Sequence, residues 1–123
     1  PEETLGEKQM KIVINVYYGG FGLSEEAIRM YLTKTGQVWE EEVRQPSGMT
    51  LFWLDKANEK LFWDSEIDRS DPILVEIVET LKSRKASSRY ASLKVVEIPE
   101  GVNWYIVEHD GMEHIAERHR TWQ

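Results

Sequence analysis

The sequence predicts a single α+β domain, a mostly antiparallel sheet with two helices in the order β-α-ββ-α-βββ. Three observations carry that expectation. Lys11-Ile12-Val13-Ile14-Asn15-Val16-Tyr17-Tyr18 is dominated by β-branched and aromatic residues, as strands are. Gly19, Gly20 and Gly22 break it sharply, and a helical pattern follows. Further along, short runs of the same strand type recur between turn residues such as Pro99-Glu100-Gly101 and His109-Asp110-Gly111.

With 123 residues there is room for one domain, and a chain this size buries about two-thirds of its unfolded surface. The opening is polar and irregular, so residues 1–9 are read as a flexible extension and 10–123 as the domain. Met10 is a candidate for the true start. The first strand is almost continuously apolar, which suggests a central strand buried on both faces. Ser24 is a good N-cap, Glu25 and Glu26 suit the first turn, and Leu23 and Ile28 sit at staple positions. Ala27, Ile28, Tyr31 and Leu32 form one apolar stripe, and Gly36 stops the helix.

Gln37 to Met49 is acidic and reads as a loop or weak edge strand. Thr50 to Asp55 and Lys60 to Asp64 are near copies around a polar turn, the pattern of a hairpin. Ser70 or Asp71 caps a second helix with Pro72 at its first position and Leu74, Ile77, Val78 and Leu81 inward. Lys82 to Ser88 reads as a basic, serine-rich loop. Leu93–Ile98, Trp104–Glu108 and Met112–Arg118 are the remaining strands, the last of them open to a helical alternative.

A formal net charge of −7, from 22 acids against 15 bases, argues against binding a nucleic acid duplex, which needs a basic face. A local basic patch is compatible with it. With no cysteine there is no disulfide framework and no thiolate metal site, which fits a reducing compartment. No apolar run approaches the roughly 18 residues a membrane helix needs, and no charged-then-apolar leader is seen, so a cytoplasmic location is expected. Five tryptophans are many for this length, and some are expected at a ligand pocket or subunit interface.

Three constellations are candidates for chemistry. At Tyr18-Gly19-Gly20-Phe21, a glycine turn running into a helix N-terminus offers N–H groups to an anion; a tight connection explains it equally. Arg69, beside the second helix, can clamp a phosphate or pair locally with Asp68 or Asp71. Arg118, His119 and Arg120, with Trp122 nearby, suit a phosphate and a stacked base; a solvated tail is the plain alternative. The histidines at 109, 114 and 119 recur at intervals of five, which misses zinc spacing, and no nucleophile or catalytic pair stands out. Neither metal nor cofactor is expected, and no residue is assigned a catalytic role.

The Lys11-to-Asn15 run followed by Tyr18-Gly19-Gly20-Phe21-Gly22-Leu23-Ser24 resembles a family of small phage-encoded proteins that open on KIVIN-x-C-Y-G-G-F-G-L-S. The likeness continues at Arg69 to Pro72, Leu93 to Pro99, Asp110 to Glu113 and Glu117 to Trp122. Departures are Tyr17 in place of a cysteine, Ser70 in place of an asparagine, and the acidic insertion over residues 40–48. Through that family the chain is similar to phage Thoeris anti-defence sponges. The resemblance implies sequestration, without cleavage, of a cyclic ADP-ribose signal made by TIR-domain immune enzymes, and assembly into homo-oligomers. It also implies that arginines and an aromatic ring hold the ligand, here Arg69, Tyr90, Arg118 and Arg120. A host-directed inhibitor that binds a protein, and a small nucleotide-processing enzyme using His119, are the competing readings.

Overall fold

The computed structural model describes residues 8–118. In chain order the elements are β1 (Gln9–Asn15), α1 (Glu25–Lys34), β2 (Glu40–Arg44), β3 (Met49–Asp55), β4 (Lys60–Leu61), a 3-10 turn (Asp64–Glu66), α2 (Pro72–Ala86), β5 (Leu93–Pro99), β6 (Trp104–His109) and β7 (Met112–Glu117). The class is α+β, and every strand pair is antiparallel. Among the described residues no helix is long and apolar enough to cross a membrane.

Local chemistry sets the helices. Ser24 Oγ accepts the Ala27 N–H at 3.1 Å, and Leu23 and Ile28 are both buried beneath that cap. Asp71, rather than Ser70, caps α2 by accepting the Ile73 N–H at 2.9 Å, with Pro72 in the first turn. Ser70 is itself held by Asp68, which accepts from its N–H at 2.9 Å and its hydroxyl at 2.7 Å. The core joins Ala27, Ile28 and Leu32 of α1 to Leu74, Val75, Ile77 and Val78 of α2, with Val13 and Leu93 from the strands.

The expected single sheet is instead three small ones: β1–β5, β2–β3–β4 and β6–β7. Ile12, Val13, Ile14 and Asn15 are buried, as a central strand should be, yet β1 has a strand partner on one edge only. Its other edge is completed by side chains and a turn. The Val13 N–H donates to Arg69 O at 2.9 Å, Arg69 Nη1 donates to Val13 O at 3.3 Å, and the Asn15 N–H donates to Glu113 Oε1 at 2.8 Å. An Arg–Glu pair thus satisfies backbone groups that another strand would otherwise meet.

Other boundaries moved as well. β1 starts at Gln9, opposite Pro99, and Lys8 O accepts from the Glu100 N–H, so the domain begins before the boundary expected after residue 9. Residues 1–7, the rest of the expected extension, lie outside the described residues. The acidic segment forms β2, because its charges find partners on neighbouring elements. The second aromatic strand shortens to Lys60–Leu61 after a register shift, and the chain then turns so that Asp64 Oδ2 accepts the Leu23 N–H at 2.9 Å. The basic segment after Leu81 remains helical to Ala86, but Lys82 adopts φ 66°, which breaks the helix axis there.

The β2 sheet is fastened to α1 by charge. Arg29 donates to both oxygens of Glu41 at 2.9 Å, and Trp39 Nε1 donates to Glu41 at 3.0 Å. The Arg29 hydrogen bond is the main reason the Glu41 carboxyl is pulled down from 4.5 to about 2. A depressed carboxylate stabilises the fold above its ordinary range, and that contribution disappears as the pH falls from 4.5 towards about 2. The melting temperature of the wild type should therefore fall more steeply across this window than that of Glu41→Gln. Parallel thermal melts of the two proteins check it.

Candidate functional site

The glycine turn and the end of α2 run side by side. Ser24 donates from N–H to Ala86 O at 2.8 Å and from Oγ to Lys85 O at 2.6 Å. Leu23 and Ser87 form a β-bridge, and the Ser88 N–H donates to Gly22 O at 2.9 Å. One step further, Gly19 lies so close to Tyr90 that an added Cβ would fall 1.9 Å from Tyr90 O. A side chain at 19 would push the two segments apart, which is why this position needs glycine.

The β6–β7 turn closes the other side. Asn15 is fully buried, and its amide donates to Tyr17 O at 2.6 Å and Gly111 O at 2.7 Å while its oxygen accepts the Ser92 N–H at 2.8 Å. Gly111 has φ 88°, and a Cβ there would lie 2.1 Å from Tyr18 O. One buried amide side chain thus ties the strand end, the glycine turn, the hairpin turn and the start of β5 together.

What this scaffold presents is aromatic and cationic. Tyr17, Tyr18 and Tyr90 are 52%, 66% and 61% exposed, the first two with rings 6.3 Å apart edge to face. Arg89 lies 5.6 Å from the Tyr90 ring. Residues 82–90 carry Lys82, Arg84, Lys85 and Arg89 and no acid. All four cations are exposed, and among the described residues no carboxylate lies within ion-pair distance of any of them. Lys11, Arg29, Lys34, Arg44, Lys56 and Arg69, by contrast, all have acidic partners. Lys8, Lys60, Lys94 and Arg118 also lack an ion pair among the described residues, but they are spread over separate parts of the chain, whereas these four cations share one segment beside the exposed tyrosines. Such a surface can take a phosphate by charge-assisted hydrogen bonds and a base by stacking.

The expected site residues distribute unevenly around this face. Tyr18, Gly19, Gly20 and Tyr90 belong to it. Phe21 lies under Arg69, whose guanidinium carbon is 3.7 Å from the ring centre. Arg69 is neither a free clamp nor a partner of Asp68 or Asp71. It donates to Glu113 at 2.6 and 2.9 Å, with side chains only 17% and 7% exposed, because folding brings β7 against β1. Arg118 stacks 4.4 Å over Tyr105, five strand residues beyond Glu113, or roughly 17 Å along the sheet. Within one chain Arg69 and Arg118 therefore stand well apart, each with a partner of its own. His119 and Arg120 lie outside the described residues. Lys82, Arg84, Lys85 and Arg89 were not among the expected residues, although a run of four cations without an acid was a compositional signal for them.

A hollow of about 400 Å³ lies elsewhere, on a face of α1 lined by Glu26, Arg29, Met30, Thr33 and Lys34. Its cations are already paired, Arg29 with Glu25 and Glu41 and Lys34 with Glu76, so it offers little to an anion. No group of metal-ligating residues occurs among the described residues. Fold and site together define an α+β domain with a cationic, tyrosine-bearing face. Comparison of the chain with family models, with curated proteins and with solved structures returns no match.

Proposed function

We propose that this protein binds and sequesters a phosphate-bearing nucleotide signal of the cyclic ADP-ribose class without cleaving it, as a phage anti-defence sponge does. The observation that carries the reading is the unpaired basic segment 82–89 held by backbone hydrogen bonds against the glycine turn, with Tyr17, Tyr18 and Tyr90 exposed beside it. A pyrophosphate would meet Arg84, Lys85 and Arg89, and the base would stack on a tyrosine ring. Sequestration needs affinity and no reacting group, so the reading assigns no catalytic role. Arg69 and Asn15 act in it by shaping the turn, not by touching the ligand.

Isothermal titration with a cyclic ADP-ribose isomer should show tight binding, and heating the complex should release the ligand intact. Arg89→Ala and Tyr90→Ala should each weaken affinity about tenfold or more while leaving the circular dichroism spectrum unchanged. Recovery of a degraded ligand, or wild-type affinity in both variants, would overturn the proposal.

A further inference from the structure

We infer that Asp110 sets the specificity of the nucleotide face, by accepting from free ribose hydroxyls and excluding a ribose that carries a phosphate. The inference rests on the nucleotide-binding reading and adds to it the polarity of the ligand. Tyr18 and Gly20 touch the β6–β7 turn, where a Cβ on Gly111 would lie 2.1 Å from Tyr18 O and 2.6 Å from Gly20 N. Gly19, between them, touches Tyr90 at the end of the basic segment. The exposed tyrosines therefore have cations on one flank and the Glu108-His109-Asp110-Gly111 turn on the other.

The acids of that hairpin are not equivalent. Glu113 is committed to Arg69, and Glu108 Oε2 accepts the Gly111 N–H at 2.6 Å. Asp110 has a side chain 76% exposed, and among the described residues its carboxylate accepts no hydrogen bond. His109 Nε2 lies 3.6 Å from it, an ion pair only when that exposed imidazole is protonated. The Asp110 charge is thus left for a ligand. A carboxylate accepts hydrogen bonds from hydroxyls and repels phosphate. In a nucleotide the 5′-phosphate and the 2′,3′-diol leave opposite edges of the ribose, which matches a face basic on one flank and acidic on the other. An acid on the ribose hydroxyls is also how dinucleotide folds select against a 2′-phosphate.

Isothermal titration with cyclic ADP-ribose and with cyclic ADP-ribose 2′-phosphate tests the assignment. The wild type should bind the unphosphorylated ligand about tenfold more tightly, as expected when the other must set a phosphate against a carboxylate. Asp110→Asn should erase that preference by tightening the phosphorylated ligand. Asparagine suits the φ of 52° at this position, so the melting temperature should not move. Added salt should shrink the preference of the wild type by screening the repulsion. Equal affinity of the wild type for the two ligands, or a preference that survives Asp110→Asn, would overturn the inference and leave the nucleotide reading standing. Failure of both ligands to bind would overturn the two together.

Discussion

Replacing Arg69 by alanine is expected to destabilise the fold by about 3–5 kcal/mol, as much as truncating a large core side chain. Glu113 is almost fully buried, and without the guanidinium its charge has no counterpart. The same truncation uncovers the face of Phe21 and removes the donor to Val13 O. Because Glu113 also accepts the Asn15 N–H, the end of β1 and the glycine turn should loosen together. Urea denaturation measures the loss. Arg69→Lys should recover only part of it, since an ammonium cannot reproduce the two-pronged contact with the carboxylate. A loss below about 1 kcal/mol in the alanine variant would show that the pair is not a structural closure of β1.

The second large effect is expected for Asn15→Leu, about 4 kcal/mol. Leucine keeps the branched shape, but its methyls are bulkier than the amide and would crowd oxygens that now lie 2.6 and 2.7 Å away, and three partners lose their bonds at once. The Ser92 N–H, Tyr17 O and Gly111 O are left in a region water does not enter freely, at about 1–3 kcal/mol for each orphaned group. The loss should also spread in a recognisable pattern. Amide exchange at Ser92 should accelerate, and any ligand that uses Tyr18 and Tyr90 should bind more weakly. Native-like protection of the Ser92 amide in the leucine variant would contradict this account of Asn15.

Both effects lie in interactions that join distant parts of the chain, and that is where reading the sequence ran out. Arg69 and Glu113 are 44 residues apart, and nothing near Arg69 singles out Glu113 over the closer Asp68 and Asp71. Asp68 and Asp71 are occupied locally, on Ser70 and on the start of α2, which leaves the guanidinium for the long-range partner. β2 was ambiguous for a related reason. Three consecutive glutamates argue for solvent until Arg29, Trp39, Arg44 and Trp53 supply donors to Glu41 and Glu42. The depressed Glu41 and Glu42 carboxyls are consequences of those contacts and have no signature in the residues themselves.

The cationic face shows the same division. Its charges were visible as a run between residues 82 and 89, yet an isolated basic run reads as an ordinary solvated loop. It becomes a candidate site only when Gly19 meets Tyr90 and Gly22 meets Ser88, which sets the run beside Tyr17 and Tyr18.

By itself the sequence determined the α+β class, the strand at Ile12 to Asn15, both helix starts and the Asp110-Gly111 hairpin turn. Each of these depends on capping, periodicity or positive φ, which neighbouring residues specify. Only the tertiary structure decided that Arg69 closes β1, that Arg118 stands apart from it, that the sheet divides in three, and which cations remain unpaired. Those outcomes depend on which distant groups desolvate one another, and proximity of that kind is created by packing.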